Sequence, residues 1–413
     1  MYCYLYRGKL LVSRHLYPDL DRVPEERAAL FKDSVYILNR LDPAKSRRSF
    51  CVSSPAAAFP EKEGIEMLLE RDAPAGLPEW LESVIEKRCV TSVNTEYPSW
   101  RKALYGTPPE KWRVNIAGLG DVGGTLLTGL RLLGGDVISR IGIHSRSINN
   151  MKRWECEANQ VLSPGGGTAY PPVIMLGDDE IFNCDLFLFC ISAGVPPVGQ
   201  DSGDVRMAQF EANSRIAAEY AKKARKAGFT GIFGVVSDPV DLLCKTVFLE
   251  SNRDENGVLD FYGLAAEQVR GFGLGVMYAR AAYYAAKSPG GARFLEEGRA
   301  FGPHGEGLVI ANSIENYNEA LSLELTEKTK KANLYVRQLG YKPYVAPALS
   351  SGSLSVMALI KGKWHYSSTF LGGVYMGCLN RLGRCGTEIE TNRLPAPLYE
   401  RIKTAYERLG EML

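Results

Sequence analysis

The clearest pattern in the chain is a series of short apolar runs in its middle third: Val114 to Ala117, Val137 to Ile143, Val173 to Leu176, Asp185 to Ile191 and Gly231 to Val236. Runs of this length, rich in β-branched and aromatic residues, read as strands buried on both faces. A long helix is expected between Asp204 and Ala227, before the last run. Strands alternating with helices predict a parallel, doubly wound α/β sheet whose crevice opens at the carboxyl ends of the strands. The flanks read differently. Residues 1–110 suggest a small α+β domain, with a hairpin of Tyr2 to Tyr6 and Lys9 to Val12 around Gly8, and helical spacing over Gly64 to Glu70 and Leu77 to Lys87. Pro98, Gly106, Pro108 and Pro109 mark its end. Residues 244–413 again read as α+β: a helix ending over Val356 to Ile360, strands at Tyr366 to Phe370 and Val374 to Cys378, and an amphipathic helix from Leu398 to Leu413.

The first apolar run of the middle unit, residues 111–243, leads into Gly118-Leu119-Gly120-Asp121-Val122-Gly123, and helical spacing follows through Leu133. Strand, G-x-G-x-x-G turn and helix in that order form the Rossmann dinucleotide fingerprint. Gly118 allows the tight turn, Gly120 lets a pyrophosphate reach the backbone, and Gly123 lets helix and strand pack closely; the N–H groups around Asp121 and Val122 face the phosphates. The end of the second strand ordinarily carries an acid for the adenosine ribose. Here it reads His144-Ser145-Arg146, without a carboxylate. A hydroxyl and a permanently charged guanidinium suit a 2′-phosphate, so NADP is expected ahead of NAD.

Composition narrows the partners rather than the fold. Lys and Arg number 49 against 47 Asp and Glu, a net charge of +2, which gives no reason to expect nucleic acid or a membrane surface. Nine cysteines with no C-x-x-C pair fit free thiols, and neither a signal peptide nor an 18-residue apolar span is visible, so a cytoplasmic location is expected. No histidine stands at metal-ligand spacing from a cysteine, and no metal is expected. Arg47 and Arg48 read as solvated surface charge.

Four further motifs occur in order after the glycine turn. They are Ser192-Ala193-Gly194-Val195-Pro196 with Gly203-Asp204-Val205-Arg206 and Asn213; Ser237-Asp238-Pro239-Val240-Asp241; Arg270-Gly271-Phe272-Gly273 with Arg280; and Phe301-Gly302-Pro303-His304-Gly305-Glu306-Gly307. With these, residues 112–413 resemble the lactate/malate dehydrogenase family. The resemblance implies a nicotinamide-dependent oxidoreductase on a 2-hydroxy or 2-keto acid or a related carboxylate, with residues 244–413 as its substrate domain. It assigns Arg280 to the substrate carboxylate, Arg206 to the mobile loop beside the reacting carbonyl, and His304 to proton transfer. It adds Ser192, Ala193 and Asn213 to the cofactor site, and it implies a homo-oligomer, dimer or tetramer.

The departures are as specific. Three residues before Arg280 the family carries an aspartate that orients the histidine; here stands Met277. The family's Asn before the proline is Asp238, which becomes the candidate to replace that carboxylate, with Glu306 behind it. Pro197 stands where the family selects its substrate, in a loop longer than usual between Pro196 and Arg206. Ser350, Ser351 and Ser353 read as a serine-rich turn where the family passes near the substrate side chain. The alternative reading is a catalytically degenerate dinucleotide-binding protein that uses residues 1–110 for sensing or partner contact.

Overall fold

A computed structural model describes residues 1–31, 33–73, 76–167, 169–193 and 205–412, excluding the side chains of residues 205–209. The expectations for Gly194 through Asp204, including the altered loop and Pro197, and for the Arg206 side chain lie outside the described residues.

The amino-terminal residues build a six-stranded sheet from β1 (Tyr2–Tyr6), β2 (Lys9–Ser13), β3 (Arg22–Val23), β4 (Val35–Asn39), β5 (Ser49–Cys51) and β6 (Val90–Asn94), in the order β3-β1-β2-β4-β6-β5. The hairpin about Gly8 is present, and Gly8 takes φ +76° in its turn. The pairs β2–β4 and β4–β6 are parallel, because connections long enough to cross over separate them. Helix α1 (Glu79–Glu86) buries Leu81 and Ile85 against this sheet. The helix expected over Gly64 to Glu70 is only a 3-10 turn, Ile65–Leu68. Its C-terminal flank is drawn into extended pairing instead: Glu70 N donates to Asn392 O at 3.0 Å. Nor is Arg47 solvated. It is buried at 3% exposure, with Nε 3.0 Å from the equally buried Glu63, and Arg48 stands 3.4 Å from Glu267. Sequence shows an arginine pair but not the carboxylates that folding brings to it.

The second sheet has nine strands. β7 (Trp112–Ala117), β8 (Ile138–His144), β9 (Val173–Met175), β10 (Leu186–Phe189), β11 (Ile232–Val235) and β12 (Val269–Gly271) are parallel in the order β12-β11-β10-β7-β8-β9. A separate two-stranded sheet pairs β13 (Arg299–Phe301) with β14 (Val309–Ala311). Beyond β12 the main sheet continues antiparallel with β15 (His365–Leu371), β16 (Val374–Gly383) and β17 (Gly386–Ile389). The five expected strands thus all occur, and β12 adds a sixth parallel one from beyond residue 244.

Helices cover both faces. On one, Leu126, Leu127 and Leu130 of α2 (Asp121–Leu133) and Met151 of α3 (Ile148–Asn159) pack on Val114, Ile116 and Leu188. On the other, α4 (Val205–Lys226) and α5 (Val240–Ser251) cover Phe187, Phe189 and Phe233. Strand order reverses between β8 and β10 on either side of β7, and that switch point opens the crevice. Helix α6 (Leu274–Ala285), the long α7 (Glu319–Gln338), a π-helical segment Pro347–Leu354 running into α8 (Ser355–Ile360), and α9 (Ala396–Glu411) complete the chain. The serines expected in a turn sit in that π-helix. Ser351 Oγ accepts from Val276 N at 2.8 Å and donates to Gly273 O at 2.7 Å. Ser353 is fully buried against α2, where a Cβ on Gly129 would fall 2.1 Å from its hydroxyl. Small hydroxyl side chains let three helices approach closely while satisfying their own polar atoms.

Candidate active site

The switch-point crevice is a cleft of about 1620 Å3. At its floor Gly118 takes φ +97°, and a Cβ there would meet Cys190 O at 2.7 Å; one on Gly123 would meet Gly118 O at 1.9 Å. Gly120 has nothing within 4 Å of such an atom, leaving its backbone open to the cleft. The two crowded glycines make the turn, and the open one faces whatever binds. This is the form that a dinucleotide pyrophosphate requires, so the residues present fit that cofactor.

Gly118, Gly120, Asp121, Val122, Gly123, His144, Ser145, Arg146, Ser192, Asp238, Arg280 and His304 all line the cleft. Among the expected residues, Ala193 and Asn213 do not. Asn213 is fully buried: its Oδ1 accepts from Ala193 N at 2.8 Å and its Nδ2 donates to Asp238 O at 2.7 Å. It therefore ties the strand end after β10 to the loop after β11 and holds Asp238 in place. His144 is also largely enclosed, with Nδ1 3.3 Å from Leu176 O and Nε2 3.5 Å from Asp178. Ser145 and Arg146 are the more open residues at this end.

His304 sits between Gly302 (φ +93°) and Gly305 (φ +141°), in a turn that only glycines enter without strain. Its Nδ1 lies 3.0 Å from Asp238 Oδ1. Its Nε2 is sealed from solvent and has no hydrogen-bond partner among the described residues. A buried ring nitrogen left without a partner costs stability unless something else meets it. Glu306 turns away and pairs with Lys330 at 3.0 Å. Beneath the histidine, Asp241 is buried; its Oδ2 accepts from His304 N at 3.4 Å and its Oδ1 accepts from Ser368 Oγ. Burial lifts the Asp241 carboxyl to about 6, against the pull of those hydrogen bonds.

Arg280 lies one helical turn after Met277, which is 2% exposed, and its Nη1 is 3.5 Å from the Met277 sulfur. Burial lowers the guanidinium pKa, while Tyr284 and Asp238 act the other way. An arginine that meets a thioether and no carboxylate on its own helix keeps its donors for an anion.

Other cleft residues carried no sequence signal. Lys342, in the loop after α7, reaches across to Asp121 at 3.0 Å, and Asn333 and Arg337 line the far lip from α7 itself. Asp178 and Lys223 stand 3.9 Å apart at the end of the cleft beside His144. Gly340 and Pro343 announce a loop, but only folding carries it over the glycine turn. Among the described residues, no cluster of three or more His, Cys, Asp or Glu could hold a metal ion.

No family model matches the sequence. Over 200 residues the chain is 30% identical to L-lactate dehydrogenase 2 of Staphylococcus aureus (strain JH9), a match covering 45% of this chain and 58% of that enzyme; the same figures hold for strain Newman. The chain thus spans under two thirds of the length of these relatives. Among solved structures it is similar to MGS-M5, a lactate dehydrogenase from a Medee basin deep-sea metagenome library, with TM-score 0.59 and 16% identity over 73% of this chain and 98% of that one. The minor L-lactate dehydrogenase of Enterococcus mundtii gives TM-score 0.59 at 19% identity, covering 73% of this chain and 98% of that one. Malate dehydrogenase of Archaeoglobus fulgidus, solved in complex with NADH, gives 0.58 at 18%, covering 72% and 97%. At such identities the structural likeness is one of fold. Taken with the sequence match, it shows a chain with the fold of the lactate and malate dehydrogenases and a similarity in sequence to part of one, enlarged by residues beyond the common fold.

Proposed function

We propose that the protein is an oxidoreductase that interconverts a 2-hydroxy and a 2-keto acid, or a related small carboxylate, using NADP(H), with NAD(H) as the second choice. When bound, the nicotinamide supplies or accepts the hydride. The chain's own residues do the rest. Arg280 offers a planar donor fork to the substrate carboxylate and fixes its orientation. His304, through Nε2, gives a proton to the carbonyl oxygen during reduction or takes it from the hydroxyl during oxidation. Asp238 holds the ring by accepting from Nδ1–H, which leaves Nε2 as the working atom and stabilises the ring when it carries both protons. Ser145 and Arg146 are assigned to the adenosine 2′-phosphate. Arg206 is assigned by resemblance to the reacting carbonyl, and assembly into a homo-oligomer by the same route.

The observation that carries this reading is the Asp238–His304 contact of 3.0 Å beside an orphaned Nε2 and the Arg280 fork. A carboxylate stands against the histidine although the family's own aspartate position is Met277. That methionine is also what favours the second reading, a degenerate dinucleotide-binding protein. Fluorescence titration with NADPH and NADH, followed by a screen of 2-keto acids monitored by loss of the reduced nicotinamide, separates the two. Turnover that disappears in His304→Ala is expected. Tight cofactor binding with no turnover of any acid establishes the degenerate reading instead.

A further inference from the structure

A second cleft, of about 830 Å3, lies at the other, amino ends of the parallel strands. One wall is the six-stranded sheet, through Lys9 of β2, Tyr36 of β4 and Thr91 of β6; the other is the amino ends of the parallel strands, at Asp185 before β10, Thr230 before β11 and Gln268 before β12. The cleft therefore exists only because residues 1–110 are added to the common unit. Its volume falls within the range of small-molecule sites.

Its charges do not cancel. Arg225 is clamped by Asp260 at 2.7 and 2.6 Å, Arg48 faces Glu267 at 3.4 Å, and Asp185 faces Arg113 at 2.8 Å. That leaves Lys9, Lys102 and Arg384 against Asp33, all four without an ion pair among the described residues; three cations and one carboxylate give an excess of two positive charges. Lys9 Nζ is held above the rings of Tyr36 and Tyr105, at 5.3 and 5.2 Å from their centroids. Arg48 is committed to Glu267 through Nε, while Ser99 Oγ, which accepts from Arg48 Nη1 at 3.4 Å, keeps its proton to donate. Cations from three separate segments, with a hydroxyl donor beside them, suit a group with nearly two negative charges and several acceptor oxygens. That group is a phosphate monoester.

One element reaches both clefts. Along α4, Ile216, Glu219, Tyr220 and Lys223 line the cofactor cleft, and immediately afterwards Ala224 and Arg225, with Gly228 just past the helix end, line the second. A ligand that pulls on the end of this helix changes the wall of the other site, and by linkage the effect runs equally in both directions.

We propose that the second cleft binds a small phosphorylated molecule and that α4 couples its occupancy to dinucleotide affinity. The coupling half rests on the cofactor reading above; the binding half does not. The test uses the full chain and calorimetry with inorganic phosphate, ribose 5-phosphate and AMP, each titrated into wild type, Lys102→Ala/Arg384→Ala and Arg146→Ala. Both side chains of the double variant are exposed, and thermal unfolding reports whether it still folds. Saturable binding is expected for at least one probe, weakened on the order of 10-fold in the double variant and unchanged in Arg146→Ala. Preference among the three distinguishes free phosphate, a sugar phosphate and a nucleotide. Lys9→Ala, at the other wall, gives the same loss if the double variant misfolds. Failure of all three probes at millimolar concentration overturns the site. So does binding that only Arg146→Ala weakens, which puts the probe in the first cleft. With the probe saturating, the NADPH dissociation constant is expected to move about 5-fold; an unchanged constant overturns the coupling. These readouts are affinities, so an inactive protein leaves the binding claim intact.

Discussion

Asp238→Asn is the substitution on which the proposed mechanism turns. It removes one charge from an atom 3.0 Å from His304 Nδ1 and changes almost no volume. It also introduces the amide that the lactate/malate dehydrogenases, which this stretch resembles, carry there. Two unit charges about 4 Å apart attract by about 1 kcal/mol in water and about 4 kcal/mol at the effective dielectric of a protein surface. The Asp238 side chain is 54% exposed, so solvent screens it and the lower part of that range applies, about 1–2.5 kcal/mol. If the charged ring forms at the transition state, that loss corresponds to a fall of roughly 5- to 70-fold in kcat/KM. Because Asp238 acts through the ring rather than on the substrate, the loss is expected in kcat with KM little changed. Removing the ring itself, in His304→Ala, costs on the order of 10²–10⁴-fold, as for other general acids. The assay is steady-state kinetics with whichever keto acid the screen finds, on wild type and both variants, with thermal unfolding to show that each is folded. If Asp238→Asn turns over within 2-fold of wild type and His304→Ala does too, proton transfer by this pair is wrong for this chain, whatever its fold.

Three further outcomes are expected. Arg146→Ala weakens NADPH by about 10-fold or more and NADH little, since a charged hydrogen bond to phosphate contributes about 1.5–3 kcal/mol; equal losses in the two dissociation constants would remove the case for NADP. For Asp241, burial raises the carboxyl from 3.8 to about 6. Between those values the folded state binds the proton more tightly than the unfolded chain, so wild type loses about 2 kcal/mol relative to Asp241→Asn as pH rises from 4 to 6.5; urea unfolding profiles that stay parallel across that window contradict the burial argument. Finally, sedimentation at micromolar concentration is expected to show at least a dimer, and a monomer mass would end that expectation.

What depends on local periodicity and turn chemistry was legible along the chain. Apolar runs of fixed length gave the five parallel strands, and a G-x-G-x-x-G turn between strand and helix leaves Gly118 and Gly123 no room for a side chain. His304 and Arg280 could be named because each sits in a motif of its near neighbours. Tertiary structure decided everything that depends on which distant segments meet. Asp238 and Glu306 were both candidates to face His304; the loop after β11, tied down by Asn213, presents the residue 66 positions away, while Glu306, two positions away, pairs with Lys330 on α7. Helix α7 was invisible because its buried stripe includes Ser322, Thr326 and Thr329, so its inward face looks as polar as its outward one. Arg47 could not be told from a surface residue until Glu63 was beside it in the interior. The second cleft forms where segments of the two sheets, distant in sequence, meet. Such contacts are fixed by packing and by the cost of leaving a buried charge or donor unpaired, and that cost is incurred between residues whose spacing along the chain carries no trace of it.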